Sequence, residues 1–109
     1  MNVRRTDDFI IDVERQFDWY LANAGGELAD RYLDAVEATC RLLSQHPNLG
    51  PRGGFPHPRL REWRFFLVFR PFSQHILFYE VANGILVMRR TMRGQRDLPR
   101  RLLEPSGPE

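Results

Sequence analysis

The sequence predicts an α+β domain in which an antiparallel helix hairpin packs on one face of a small antiparallel sheet, in the order β-α-α-β-β-β. Two observations lead to this prediction. The first half carries two apolar stripes with the three-and-four residue spacing of amphipathic helices. The second half carries alternating apolar runs, two of them joined by Asn83-Gly84, as in hairpin strands. Helices followed by consecutive antiparallel strands are typical of a two-layer α+β domain.

The first helix is predicted to begin after Thr6 and to end near Asn23. Thr6 can cap the first turn, and Asp7 and Asp8 place negative charge at the positive end of the helix dipole. Residues 1–5 before it form a brief edge strand in this prediction. The apolar face of the helix comprises Phe9, Ile10, Val13, Phe17, Tyr20 and Leu21.

The second helix is predicted over residues 27–45, after the reversal that Gly25-Gly26 allows. Pro47 ends it, because the residue before a proline avoids the helical region. Cys40 lies within its apolar stripe, which indicates a small buried residue rather than a reactive thiol.

Residues 46–60 are rich in Pro and Gly and predict a long loop lying on the body of the domain. Residues 63–69 alternate and are strongly apolar, which predicts a central strand. The Asn83-Gly84 dipeptide then predicts a two-residue type I′ turn, which sets the register of the last two strands. That register pairs Tyr79 with Met88, Leu77 with Arg90, and His75 with Met92. With the helix pair on one face, the other face of the sheet is expected to remain open to partners.

The charge of +2 hides a division along the chain. Residues 1–46 hold five arginines and nine acidic residues, whereas residues 47–109 hold eleven arginines and five acidic residues. All sixteen basic residues are arginine. The second half is therefore the candidate surface for an anionic partner.

One domain over residues 1–97 is expected, followed by a partly disordered tail over residues 98–109 whose last five residues are the least structured. The start of the sequence has no apolar leader, and no apolar run is long enough to span a bilayer. The lone Cys40 cannot form an internal disulfide, which fits a reducing compartment. The sequence therefore predicts a cytoplasmic protein without membrane contact.

At this point the residues resemble the RelE/ParE superfamily of toxins from type II toxin–antitoxin systems, and most of all its ParE-like members. The resemblance covers nearly the whole chain and is most specific in the last two strands and the segment after them. It is carried by the helix pair and by Pro47, Gly50, Leu60, Arg64, Arg90, Gly94, Arg96 and Asp97. The chain departs from the family pattern at Arg93, where these toxins often have histidine.

The resemblance implies a small toxin held inactive by a cognate antitoxin, whose C-terminal segment folds onto the toxin as it binds. ParE-like members poison DNA gyrase, whereas RelE-like members cut mRNA in the ribosome. The resemblance leaves open whether Arg93 in place of histidine has abolished toxicity.

Cleaving RNA needs a general base, a general acid and cations for the developing negative charge. The chain has no lysine, no histidine after His75 and no tyrosine after Tyr79, so the acid–base groups of a nuclease are scarce. Glu80 and His75 are the catalytic candidates of the enzyme alternative. Glu80 is diagonal to Arg89 in the predicted hairpin and is expected to form a structural ion pair with it. The histidine spacing indicates no metal site, and no cofactor is expected.

The candidate residues for binding the target or the antitoxin are Arg64, Arg70, Arg89, Arg90, Arg93 and Arg96. They could meet acidic residues of an antitoxin or a gyrase surface; direct contact with nucleic-acid phosphate is the less favoured alternative. A solvated basic surface or internal ion pairs, such as Arg96 with Asp97, would explain the same residues without a partner. We expect the apolar residues of the antitoxin to bury against the helix pair or a sheet edge.

The expected function is therefore a ParE-like toxin that binds and inhibits DNA gyrase. Two alternatives stay open: a ribosome-dependent mRNA endonuclease, and a non-toxic binding domain that has kept the fold.

Overall fold

The computed structural model describes residues 1–94 and 98–106. In chain order its elements are β1 (Asn2–Arg5), α1 (Asp7–Ala24), α2 (Gly26–Gln45), a 3₁₀ turn (Pro58–Leu60), β2 (Arg64–Leu67), β3 (His75–Ala82), β4 (Ile85–Arg93) and α3 (Leu98–Leu103). The strand order is β1-β4-β3-β2, with β1 parallel to β4 and the other pairs antiparallel. The predicted α+β fold is confirmed, and the parallel first strand makes the sheet mixed. No helix in the described ranges is long and apolar enough to cross a membrane.

Thr6 joins the first helix to the sheet. Its side chain accepts a hydrogen bond of 3.1 Å from the amide of Phe9, so the predicted N-cap is confirmed. The amide of Thr6 donates to the carbonyl of Met88 on β4 at 3.1 Å. Helix α1 is therefore anchored to the sheet where its first turn begins.

The main core lies between the helix pair and one face of the sheet. Cys40 is buried there, and burial raises the pKa of its thiol to about 11, which confirms the prediction of a structural cysteine. The larger buried side chains of this core include Phe9, Tyr20, Tyr32, Val36 and Leu43 from the helices and Leu77, Tyr79, Leu86 and Met88 from the strands.

The hairpin follows the predicted register only near its turn. Asn83 and Gly84 have positive φ angles of 55° and 74°, as a type I′ turn requires, and Tyr79 pairs with Met88. Arg89 then forms a bulge, since it is an extra residue on β4 without an opposite residue on β3. The predicted pairing beyond the bulge is wrong by one residue. The observed pairs are Phe78 with Arg90, Leu77 with Thr91, Ile76 with Met92 and His75 with Arg93.

The strand predicted to be central, β2, lies at the edge of the sheet. Its apolar character comes from contacts on both faces: Phe66 packs on the main core, and Trp63 and Phe65 pack on the opposite side. The expectation that the second face remains open is wrong for part of that face. The 3₁₀ turn and α3 cover part of it, in a cluster that comprises Leu60, Trp63, Phe78, Met92 and Leu102.

Part of the predicted tail is structured. Helix α3 buries Leu102, and Ser106 hydrogen-bonds to Asp8 and Asp12 of α1. Residues 107–109 lie outside the described residues, so the expectation of disorder there stays a prediction.

Candidate binding interface

Arg90 lies in the interior, with only 7% of its surface exposed. Its Nε and Nη2 donate to the two carboxylate oxygens of Asp12 on α1, at 2.7 and 3.1 Å. Its Nη1 donates to the carbonyls of Arg101 and Glu104 in the C-terminal segment. These contacts engage all three nitrogens of the guanidinium, so Arg90 is not available to bind a partner.

Asp12 is the centre of this buried network. Besides Arg90, it accepts hydrogen bonds from the amide of Thr91 at 3.1 Å and the hydroxyl of Ser106 at 2.6 Å. The pairing of β1 with β4 ends at Met88, so the edge of β4 is open beyond that residue. The Asp12 carboxylate thus accepts the hydrogen bond of the Thr91 amide, which has no strand beside it.

Arg89 and Glu80 form the ion pair that the sequence predicts. Arg89 Nε donates to Glu80 Oε2 at 2.7 Å, and Trp63 Nε1 donates to the same oxygen at 3.1 Å. The Arg89 guanidinium also lies 5.9 Å from the centre of the Trp63 ring. Arg89, a candidate for binding, and Glu80, a candidate for catalysis, are therefore bound to each other.

His75 is 1% exposed and lies inside the main core. A hydrogen bond of 2.8 Å joins its Nε2 to the Tyr20 hydroxyl, and the rings of Tyr20 and Tyr32 meet it edge-on. Burial, together with the positive charge of Arg93, lowers the pKa of His75 to about 4. His75 is thus neutral at pH 7. Glu80 contacts the opposite side of the sheet through Trp63, so the two catalytic candidates do not converge.

Arg64 secures the loop after α2. Its Nη1 donates to the carbonyl of Gly50 at 2.7 Å, and the Tyr79 hydroxyl accepts from the Gly50 amide at 2.9 Å. A Cβ atom at Gly50 would lie 2.4 Å from the carbonyl oxygen of Phe65, which explains why glycine is needed there. Arg64 is therefore engaged in the fold.

Arg70 and Arg93 are exposed, and neither forms an ion pair with a residue in the described ranges. Arg96, with the expected Arg96–Asp97 pair, lies outside the described residues. Two of the six candidate arginines thus remain available for a partner in the described part of the chain.

Arg93 lines a cleft of about 290 Å³ between α1, the end of β4 and α3, which we call the α1–β4 cleft. Arg15 and Trp19 of α1 also line it, and Trp19 is 51% exposed. The full lining is Asp12, Arg15, Gln16, Trp19, Thr91, Met92, Arg93 and Arg101. Since Asp12 is paired with Arg90, Arg15 and Arg93 give this cleft a positive character.

Sequence reasoning missed Arg15 and Trp19. Both residues lie outside the apolar face predicted for α1, and the distance along the chain between α1 and β4 concealed that these two elements meet. The one available signal was Trp19, an aromatic residue outside the apolar stripe of its helix.

The fold and this interface define a small α+β domain that presents exposed arginines beside an aromatic residue. Over the ranges 1–94 and 98–106, no three His, Cys, Asp or Glu side chains are placed to hold a metal ion.

Residues 3–98 match the model of the family described as the ParE toxin of the type II toxin-antitoxin system, parDE. The chain belongs to this ParE toxin family. Its structure is similar to a solved chain described as the chromosomal ParDE TA system from P. aeruginosa, with a TM-score of 0.72 and 19% identity, covering 87% of this chain and 97% of that one. At that identity the similarity supports the fold. No curated protein matches the chain.

Proposed function

We propose that this member of the ParE toxin family inhibits DNA gyrase by binding it, and that a cognate antitoxin neutralises it. The observation that supports this function is the α1–β4 cleft, where exposed Arg93 and Arg15 lie beside Trp19. Guanidinium groups bind carboxylates through two parallel hydrogen bonds, and an exposed indole ring is a frequent anchor in protein interfaces. A gyrase target places the site of action in the cytoplasm.

The chemistry of the other candidates favours binding over cleavage. A nuclease needs a base and an acid within reach of one phosphate. Glu80 is held by Arg89 and Trp63, and His75 is buried on the other side of the sheet. Neither can approach a substrate without breaking these contacts.

The proposal is tested by incubating the purified chain with gyrase and plasmid DNA. We expect inhibited supercoiling or trapped cleaved DNA, because ParE-like toxins act on this enzyme. The double variant Arg15→Glu/Arg93→Glu should need at least tenfold more protein for the same inhibition, roughly the loss of one good charged contact. The matched control is Arg31→Glu, which reverses an exposed arginine on α2 away from the cleft.

An unaffected gyrase reaction would contradict the gyrase assignment. Primer extension on translated mRNA then decides the enzyme alternative, since codon-linked cuts that disappear in Glu80→Gln would establish an endonuclease. Normal growth during expression without an antitoxin would favour the non-toxic binding domain.

A further inference from the structure

The edge of the sheet at β2 has one open position. The backbone amides of the even-numbered residues of β2 point towards β3. The Val68 amide, directly after β2, continues this pattern and donates to the His75 carbonyl at 3.0 Å. The residues with odd numbers therefore point their amides outward. The Phe65 amide donates to the Pro51 carbonyl at 3.0 Å, and the Phe69 amide donates to Thr39 Oγ1 at 3.2 Å. Between them, the amide of Leu67 has no partner within the described residues.

The side chains around this open position are apolar and exposed. Leu67 is 46% exposed and Phe69 is 37% exposed, and they line a groove of about 380 Å³. Pro51 and Phe65 continue the groove, and Arg70 lies at its end. An apolar edge strand with an open amide is a template for pairing with another strand, which monomeric proteins usually block.

The opposite edge of the sheet is blocked in the usual way. Two of the four residues of β1 are Arg4 and Arg5, and Arg5 pairs with Glu37 of α2. Charged side chains discourage the addition of a strand. The two edges therefore differ, since β2 presents an open amide between two exposed apolar side chains, whereas β1 carries two arginines.

A second copy of this chain is a poor occupant for the groove. An antiparallel pair of β2 strands centred on Leu67 would bring Arg70 of each copy up to Arg64 of the other, at a position of the edge that Arg52 already occupies in a β-bridge. Like charges opposite each other destabilise a strand pair. Arg70 instead favours a segment with an acidic residue at the corresponding position.

We propose that the edge of β2 accepts an extended segment of the antitoxin at Leu67, the open position between the bonded amides of Phe65 and Phe69. Leu67 forms main-chain hydrogen bonds with it, alternate apolar residues of the segment pack on Leu67 and Phe69, and an acidic residue binds Arg70. Main-chain pairing suits a segment that has no fold of its own before it binds. The identity of the partner rests on the proposed function, whereas the surface rests on the edge itself.

The test uses the full chain and the purified protein encoded by the reading frame next to its own. Leu67→Pro removes the outward amide hydrogen and leaves the hydrogen bonds between β2 and β3 intact, because the Leu67 amide does not face β3. We expect it to weaken binding about 10- to 100-fold. Leu67→Thr keeps the amide and should weaken binding less, and Leu49→Thr, an exposed leucine outside the groove, should leave it unchanged.

Hydrogen exchange in the unmutated chain tests the same point if Leu67→Pro does not fold. The Leu67 amide should exchange at least about 100-fold more slowly in the complex than in the free chain. If the neighbouring protein binds but leaves this amide unprotected, the inference is overturned and the proposed function is not. Failure of the neighbouring protein to bind would contradict the antitoxin part of the proposed function as well. A dimer of this chain that Leu67→Pro dissociates would show that a second copy occupies the groove and would also overturn the inference.

Discussion

Arg90 and Arg93 are three residues apart on β4 and have opposite roles. Arg90 is buried and binds Asp12, whereas Arg93 is exposed in the α1–β4 cleft and makes no ion pair within the described residues. The bulge at Arg89 and the end of β1 create the gap that Asp12 and Arg90 fill together. Arginines that look alike in the sequence therefore divide into those that hold the fold together and those that can meet a partner.

The largest expected effect is that of Asp12→Ala. It leaves the Arg90 guanidinium buried without its carboxylate and removes the acceptor of Thr91 and Ser106. We expect the free energy of unfolding to fall by about 3–5 kcal/mol, as for other broken buried ion pairs. Urea denaturation measures it. The control is Glu37→Ala, which breaks the more exposed pair with Arg5 and should cost less than about 1 kcal/mol. Equal losses of stability in the two variants would contradict the distinction between the buried and the exposed ion pair.

Arg64→Ala should have an intermediate effect, because Arg64 is half-buried and donates to the Gly50 carbonyl. We expect a loss of about 2 kcal/mol, the range for hydrogen bonds from a charged group. The matched control is Arg70→Ala, which removes an exposed arginine from the neighbouring turn and should leave the urea midpoint nearly unchanged. A destabilisation by Arg70→Ala equal to that of Arg64→Ala would show that exposure does not separate the two.

The buried His75 should make stability depend on pH. Its folded-state pKa of about 4 lies below the ordinary value of 6.5, so the unfolded chain binds more protons between these values. Stability should therefore fall as the pH decreases from 6.5 towards 4, by about 2–3 kcal/mol. Urea melts at several pH values measure the slope. His75→Gln should remove the contribution of His75 to this slope. An unchanged slope in that variant would show that other groups cause the pH dependence.

The smallest effect on stability is expected for Arg93→Ala, within about 0.5 kcal/mol, because Arg93 is exposed and forms no described ion pair. The same change should raise the pKa of His75, since the Arg93 charge is one of the two causes that lower it. An NMR titration of the His75 ring measures this shift. A marked loss of stability with no change in the His75 titration would show that Arg93, like Arg90, holds the fold together.

Local features of the fold could be predicted because they depend on neighbouring residues. The Thr6 cap, the Asn83-Gly84 turn and the Arg89–Glu80 pair each involve positions close in sequence or opposite each other near a short turn. The edge position of β2 could not be predicted, since a strand with apolar side chains on both faces has the same sequence pattern at the edge and in the centre of a sheet.

The sequence by itself determined the helix pair, the strands and the concentration of arginine in the second half. Only the tertiary structure decided which of those arginines remain exposed, through the bulge at Arg89, the Asp12–Arg90 pair and the packing of α3. The physical reason is separation along the chain. Asp12 and Arg90 are 78 residues apart, and no periodicity or local motif reports that folding brings their charges to within hydrogen-bond distance.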